Sequence, residues 1–191
     1  MIKLLKKIKM KNLLRNFTLV AISFLAFSCS DEGNKNLPST SIAKIISVTP
    51  EFSSLKEALD ITGLTSTFEG SGNFTVFVPT NDAFAAVLGG LTVEEFNTAN
   101  PGVLENVLKY HVIGARVLSS DLTDGQEAAT LLGQNITVSL TPNPFFPDYD
   151  TDLGDYEETS IFINSARVFA RDVKCSNGII HVIDAVLLPS S

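Results

Sequence analysis

Few side chains in this sequence belong to the types that do covalent or metal chemistry, and their spacing decides what they can do. His111, His181 and Cys175 are the obvious nitrogen and sulfur donors. They do not form the close pairs from which a zinc site is built. No G-x-S-x-G elbow, phosphate-cradling glycine loop or His-Glu-x-x-His helix occurs, so no nucleophile and base can be nominated and an enzyme is not expected. Oxygen donors are more concentrated. The segment 142–159 holds Asp148, Asp150 and Asp152, with Asp155, Glu157 and Glu158 close behind. Alternate carboxylates suit a hard cation such as calcium. Counted from Asp148, however, the sixth position is Leu153 and the twelfth is Thr159, where the twelve-residue calcium loop needs glycine and a bidentate acid. A solvated acidic loop is therefore the plainer expectation. Phe145, Phe146, Tyr149 and Tyr156 in the same segment would make a partner-binding or sugar-stacking patch, or would cover a sheet edge.

A different chemistry is signalled at the start of the chain. Residues 1–28 contain six basic residues and no acidic one, and an apolar run from Phe17 to Phe27 ends at Ser28-Cys29-Ser30. This is the pattern of a signal peptide, and the run is too short for a bilayer-spanning helix. Ala26-Phe27-Ser28-Cys29 resembles a lipobox, with Phe27 bulkier than the stricter pattern. The resemblance implies a lipid on Cys29, and several acyl chains give lasting membrane attachment. Residues 31–39, DEGNKNLPS, have the composition of a flexible tether. Ser30-Asp31-Glu32 looks like the acidic sorting tag of some lipoproteins, which implies an outer membrane facing the periplasm or the cell surface.

Without residues 1–28, eight basic residues face twenty-one acidic ones, a net charge of −13. Such a chain is repelled by nucleic acid, and DNA or RNA is not an expected partner. If Cys29 carries lipid, Cys175 has no disulfide partner, so the core must hold by packing alone.

Elements follow from periodicity and punctuation. Helices are predicted over 41–48, from a Ser54-Leu55-Lys56-Glu57 capping box to Gly63, over 80–88, from a Thr92-Val93-Glu94-Glu95 box, and from Asn100-Pro101 to about Tyr110-His111. The last should bury Val103, Leu104, Val107 and Leu108. Strands are predicted over 74–78, 112–118, 128–132, 136–140, 160–163, 167–173 and 179–187. Helices first and strands later indicate an α+β domain over 40–191, after the signal peptide 1–28 and the tether 29–39.

Three stretches then carry a family resemblance. Phe74 to Phe84, FTVFVPTNDAF, resembles the first signature of fasciclin domains, and Ser176 to Pro189, SNGIIHVIDAVLLP, resembles the second. Between them Leu108-Lys109-Tyr110-His111-Val112 is similar to the family's Tyr-His motif, and Pro50 to Leu55 fits its entry pattern. The resemblance implies a wedge-shaped β-sandwich or barrel packed against several short helices, acting outside cells in adhesion or surface binding. It marks Phe74, Pro79, Thr80, Asn81, Asp82 and Phe84, then Tyr110 and His111, then Asn177, Gly178, His181 and Asp184. Thr80, Asn81 and Asp82 stand where a strand meets a helix, so capping is the expected role. In animal members the Tyr-His motif contributes to receptor binding, and a packing role for Tyr110 and His111 is the alternative held here. The expected partners are a membrane, through the lipid, and a surface protein or polysaccharide. No cofactor is expected.

Overall fold

In the computed structural model, residues 40–142 and 159–190 are described. The first helix, α1 (Ile42–Val48), starts where the Ser41 hydroxyl accepts the Lys44 amide at 3.3 Å. Thr49 is extended, as a residue before proline prefers, and Pro50–Phe52 forms a 3-10 turn. The next helix, α2 (Ser53–Thr62), closes on left-handed Gly63. The expected Ser54–Glu57 capping box does not form. The helix begins two residues earlier than a cap at Ser54 would set, with Phe52 before its first residue, and the Ser54 amide is taken by the Asn81 side chain at 3.0 Å. A five-residue helix, α3 (Thr65–Glu69), is too short to leave a periodic signal and was not expected.

Strand β1 (Phe74–Pro79) leads into α4 (Asn81–Leu88), capped by the Thr80 hydroxyl on the Ala83 amide. In α5 (Val93–Ala99) the box is complete, with Thr92 and Glu95 each accepting the other's amide at 3.1 and 2.8 Å. Helix α6 (Val103–Tyr110) begins later than Asn100-Pro101 suggested. Gly102, at φ 81°, supplies the left-handed entry, while the Asn100 side chain turns back to the Phe96 carbonyl. Val103 is 44% exposed, so the inner stripe is Leu104, Val107, Leu108 and Tyr110.

The remaining strands are β2 (Val112–Ile113), β3 (Glu127–Ala129), β4 (Asn135–Pro142), β5 (Thr159–Ile163), β6 (Ala166–Cys175) and β7 (Gly178–Ile183). Together with β1 they form one seven-stranded sheet in the order β2-β1-β7-β6-β5-β4-β3, parallel only between β1 and β7. The outermost strands approach each other, because the Leu131 amide, just past β3, donates to the Val112 carbonyl of β2 at 2.8 Å. The result is a nearly closed, barrel-like sheet with short helices against it. Two differences from the expected strands have local causes. The strand expected over 112–118 stops at Ile113, since the Thr75 hydroxyl donates to the Ala115 carbonyl and accepts the Val117 amide, replacing the ladder. The strand expected over 179–187 ends at Ile183, where Asp184 turns the chain and accepts the Arg167 amide at 2.8 Å.

Two apolar clusters flank the sheet. Ile42, Ile46, Phe52, Leu55, Leu59, Phe84, Leu104 and Leu108 pack from the helices onto Val76, Val78, Ile180 and Val182. Phe77, Tyr110, Ile136, Val138, Ile161, Ile163, Val168 and Ile183 fill the other side. Strand β7 is buried throughout, and β1 nearly so, which is why both read as apolar runs, broken only by Thr75 and His181, rather than as alternating ones. Each fully buried side chain of this size contributes roughly 1.5–3 kcal/mol relative to exposure.

Candidate functional site

The end of β1 is where the first motif folds. Phe74 meets Phe68 edge to face at 5.7 Å, Pro79 pairs with Ile183, and Phe84 is 3% exposed in the helix-side cluster. Thr80 caps its own helix, whereas Asn81 serves another one. Its Oδ1 accepts the Ser54 amide and its Nδ2 donates to the Pro50 carbonyl, both at 3.0 Å. That is a staple across 27 residues of sequence, which a local reading of Asn81 as a cap of α4 could not identify. Asp82 lies exposed in the first turn of α4, a favourable place for a carboxylate.

The turn between β6 and β7 does similar work. Asn177 is buried, its Oδ1 accepting the Ile42 amide at 2.9 Å and its Nδ2 donating to the carbonyls of Phe68 and Gly70 at 2.8 and 2.9 Å. One amide group therefore ties α1, α3 and the entry to β1 together. A Cβ on Gly178 would stand 2.2 Å from the Phe74 carbonyl oxygen, so only glycine lets β1 and β7 pair here. Asp184 is exposed and holds Arg167 through the main chain on both sides.

Tyr110 and His111 close α6. The Tyr110 hydroxyl donates to the Asn135 carbonyl at 2.9 Å and accepts from the Asn164 amide group at 3.0 Å. The partners of His111 fix its tautomer: Nε2 accepts the Leu187 amide at 2.9 Å, so Nδ1 carries the hydrogen and donates to the Val107 carbonyl at 2.7 Å. Burial pushes its pKa down to about 4, against the opposing effect of the Val107 bond. The ring is neutral at ordinary pH.

His181 is 1% exposed and stacks on Phe77 at 5.7 Å. Its Nδ1 accepts the Asp172 amide at 3.3 Å and its Nε2 donates to the Val117 carbonyl at 3.0 Å. Burial is the main cause lowering its pKa, and Asp172 opposes it. The carboxylate of Asp172 accepts both the amide and the hydroxyl of Ser119. Serine, aspartate and histidine thus stand close together without forming a catalytic relay, because both ring nitrogens are committed to main chain and neither faces the hydroxyl. Cys175 is fully buried, and desolvation raises its pKa to about 11 despite Arg116 nearby, so its thiol is protonated and shielded. Among the described residues no three histidine, cysteine, aspartate or glutamate side chains are placed to hold a metal.

Asn81, Asn177, His111 and His181 all turn their polar atoms onto the main chain. These four side chains serve a frame that sets strand and helix positions, whereas Asp82 and Asp184 of the motif stay exposed. A cleft of about 370 Å³ lies between α1, α2 and α3, but its Asp60 is already engaged by Lys56 and Thr65. The acidic and aromatic positions Phe145, Phe146, Asp148, Tyr149, Asp150, Asp152 and Tyr156 lie outside the described residues, as do Cys29, the signal peptide and the tether. Exposed positions that the sequence reading passed over are Arg167 and Phe169, with Phe169 54% exposed on β6. Their signal was present as a charged and an aromatic residue flanking an inward valine.

The fasciclin-domain family model matches residues 50–189. The chain belongs to the fasciclin family. Protein sll1483 of Synechocystis sp. is 32% identical over 148 residues, covering 78% of this chain and 73% of that protein. Human periostin is 30% identical over 153 residues, and human stabilin-1 is 29% identical over 160. This fasciclin domain spans only 16% of periostin and 6% of stabilin-1. The solved domain pair from the insect cell adhesion molecule fasciclin I superposes with a TM-score of 0.54 over 80% of this chain and 52% of that one. At 18% identity the likeness to that pair is one of fold. Among the described residues no helix is long and apolar enough to cross a membrane.

Proposed function

We propose that this chain is an extracytoplasmic lipoprotein, attached to a membrane through Cys29, whose fasciclin domain is an adhesion or surface-binding module. The observation that carries the reading is the inward commitment of the motif side chains. Asn81, Asn177, His111 and His181 spend their hydrogen bonds on main chain, so the domain is a rigid presenter of surface rather than a container for reacting groups. The adhesion role of the insect molecule with the same fold supports the same reading. A lipid at Cys29 and a short polar tether would hold the domain at an outer membrane, facing the periplasm or the cell surface, where it meets a surface protein or a polysaccharide.

Two measurements test this. Replacing Cys29 with serine in the producing cell should move the protein from the membrane to the soluble fraction and abolish incorporation of labelled fatty acid. Continued membrane retention would refute the anchor. Cells displaying the chain should adhere to glycan-coated or cell-coated surfaces more than cells lacking it, and equal adhesion would refute the binding role.

A further inference from the structure

Asn177 and Gly178 form the one Asn-Gly pair in the sequence. In an unfolded chain such a pair is chemically unstable, because glycine has no side chain to keep its amide nitrogen away from the neighbouring carboxamide. That nitrogen attacks Cγ of the asparagine, and a five-membered succinimide closes. The side-chain nitrogen leaves as ammonia. Water then opens the ring at one carbonyl to give aspartate or at the other to give isoaspartate, so nothing beyond water and base is consumed.

The fold withholds the motions that this reaction requires. Asn177 is 3% exposed. Its Oδ1 accepts the Ile42 amide at 2.9 Å, and its Nδ2 donates to the carbonyls of Phe68 and Gly70 at 2.8 and 2.9 Å. The carboxamide cannot rotate to present Cγ to the Gly178 nitrogen without breaking these bonds. The main chain of the turn is held as well. The Ser176 amide donates to the Thr40 carbonyl at 2.9 Å, the Phe74 amide donates to the Asn177 carbonyl at 3.1 Å, and Arg116 spans the carbonyls of Cys175 and Gly178.

The same contacts leave no place for the product. Aspartate at 177 would set a carboxylate oxygen, with no hydrogen to donate, against the carbonyls of Phe68 and Gly70 in a buried site. Isoaspartate would lengthen the main chain by one carbon in a two-residue turn whose flanks, Cys175 and Gly178, are paired. Gly178 has no slack to absorb it, since even a Cβ there would stand 2.2 Å from the Phe74 carbonyl oxygen.

We propose that Asn177-Gly178 is a latent deamidation site, silent in the folded domain and active once the β6–β7 hairpin opens, which turns unfolding from a reversible event into a permanent one. A copy that lingers unfolded loses the amide on which α1, α3 and the turn meet, and does not regain the native packing. Irreversible loss then follows the population of the open state. Neither a lipid nor a partner enters the step.

The full chain in detergent is held in mildly alkaline buffer, native or in guanidinium chloride, and the tryptic peptide that starts at Cys175 is followed by mass and by isoaspartate content. Deamidation at Asn177 is expected to be at least about tenfold slower in the native sample and to rise in step with the unfolded fraction as denaturant is added. In full denaturant, Gly178→Ala and Asn177→Gln should each slow the reaction at least about tenfold, a comparison that needs no folded variant. Returned to buffer, chains with intact Asn177 should refold and the deamidated fraction should not. Asn177→Asp should reproduce that defect without any incubation. Equal rates in native and denatured samples, faster deamidation at another asparagine of the unfolded chain, or deamidated chains that refold with unaltered thermal unfolding would overturn the proposal.

Discussion

The β6–β7 turn and the outward face of β6 lie on neighbouring stretches of chain, yet they use polar side chains in opposite ways. At the turn, Asn177 is 3% exposed and binds three main-chain groups, in α1, in α3 and at the residue just past α3, and Gly178 has no side chain, so that two strands can touch. On the outward face, Arg167 and Phe169 are exposed. The lesson is that the recognisable motif of this family fold marks where the frame is tied, and that recognition chemistry is sought among residues the motif does not contain.

Substitutions should separate the two regions by size and by kind of effect. The largest loss is expected for Gly178→Ala, which forces a methyl group against the Phe74 carbonyl and should cost at least about 3 kcal/mol in urea unfolding. A loss below about 1 kcal/mol would mean that β1 and β7 are not tightly paired there.

Acid should produce a comparable loss through the buried histidines. The pKa of His111 is lower folded, about 4, than unfolded, about 6.5, so the unfolded chain binds more protons between those values. Its stabilising contribution is complete above pH 6.5 and is lost as pH falls towards 4, by about 3 kcal/mol. His181 shifts in the same direction and adds to the loss. Protonated His111 would aim a second donor at the Leu187 amide, so hydrogen exchange at Leu187 should accelerate over this window. His111→Gln should be less stable at neutral pH and show a flatter pH dependence, and an unchanged pH slope would show that His111 does not carry it.

Smaller effects follow at the β1–α4 corner. Asn81→Ala frees the Ser54 amide and the Pro50 carbonyl and should cost roughly 1–2 kcal/mol, against about 1 kcal/mol for Thr80→Ala, which removes a single cap. Equal losses would indicate that Asn81 acts only locally. Smallest of all, Phe169→Ala should change stability by no more than about 0.5 kcal/mol, as expected of an exposed side chain.

How much of this was legible in the sequence depended on the reach of each interaction. Thr80 and the Thr92–Glu95 box cap helices three residues away, and local pattern finds them, while Ser41, expected inside its helix, proves to be the cap of it. The Ser54–Glu57 box had the same pattern and failed, because Asn81, distant in sequence, competes for the Ser54 amide. Proline after Asn100 suggested an early start to α6, but Gly102 sets the entry instead. The family motifs located the frame because they are dense in residue types that only certain turns accept. They could not locate Phe169, whose exposure depends on a bulge that no alternation pattern encodes.

The Leu131–Val112 hydrogen bond has a consequence for crowding. With β2 only two residues long, β3 three, and their margins joined, the barrel offers little free backbone on which a foreign strand could extend it. Many copies, if held on one bilayer by the proposed lipid, could then stand shoulder to shoulder without zipping into fibrils, and lateral association among them would proceed through side chains.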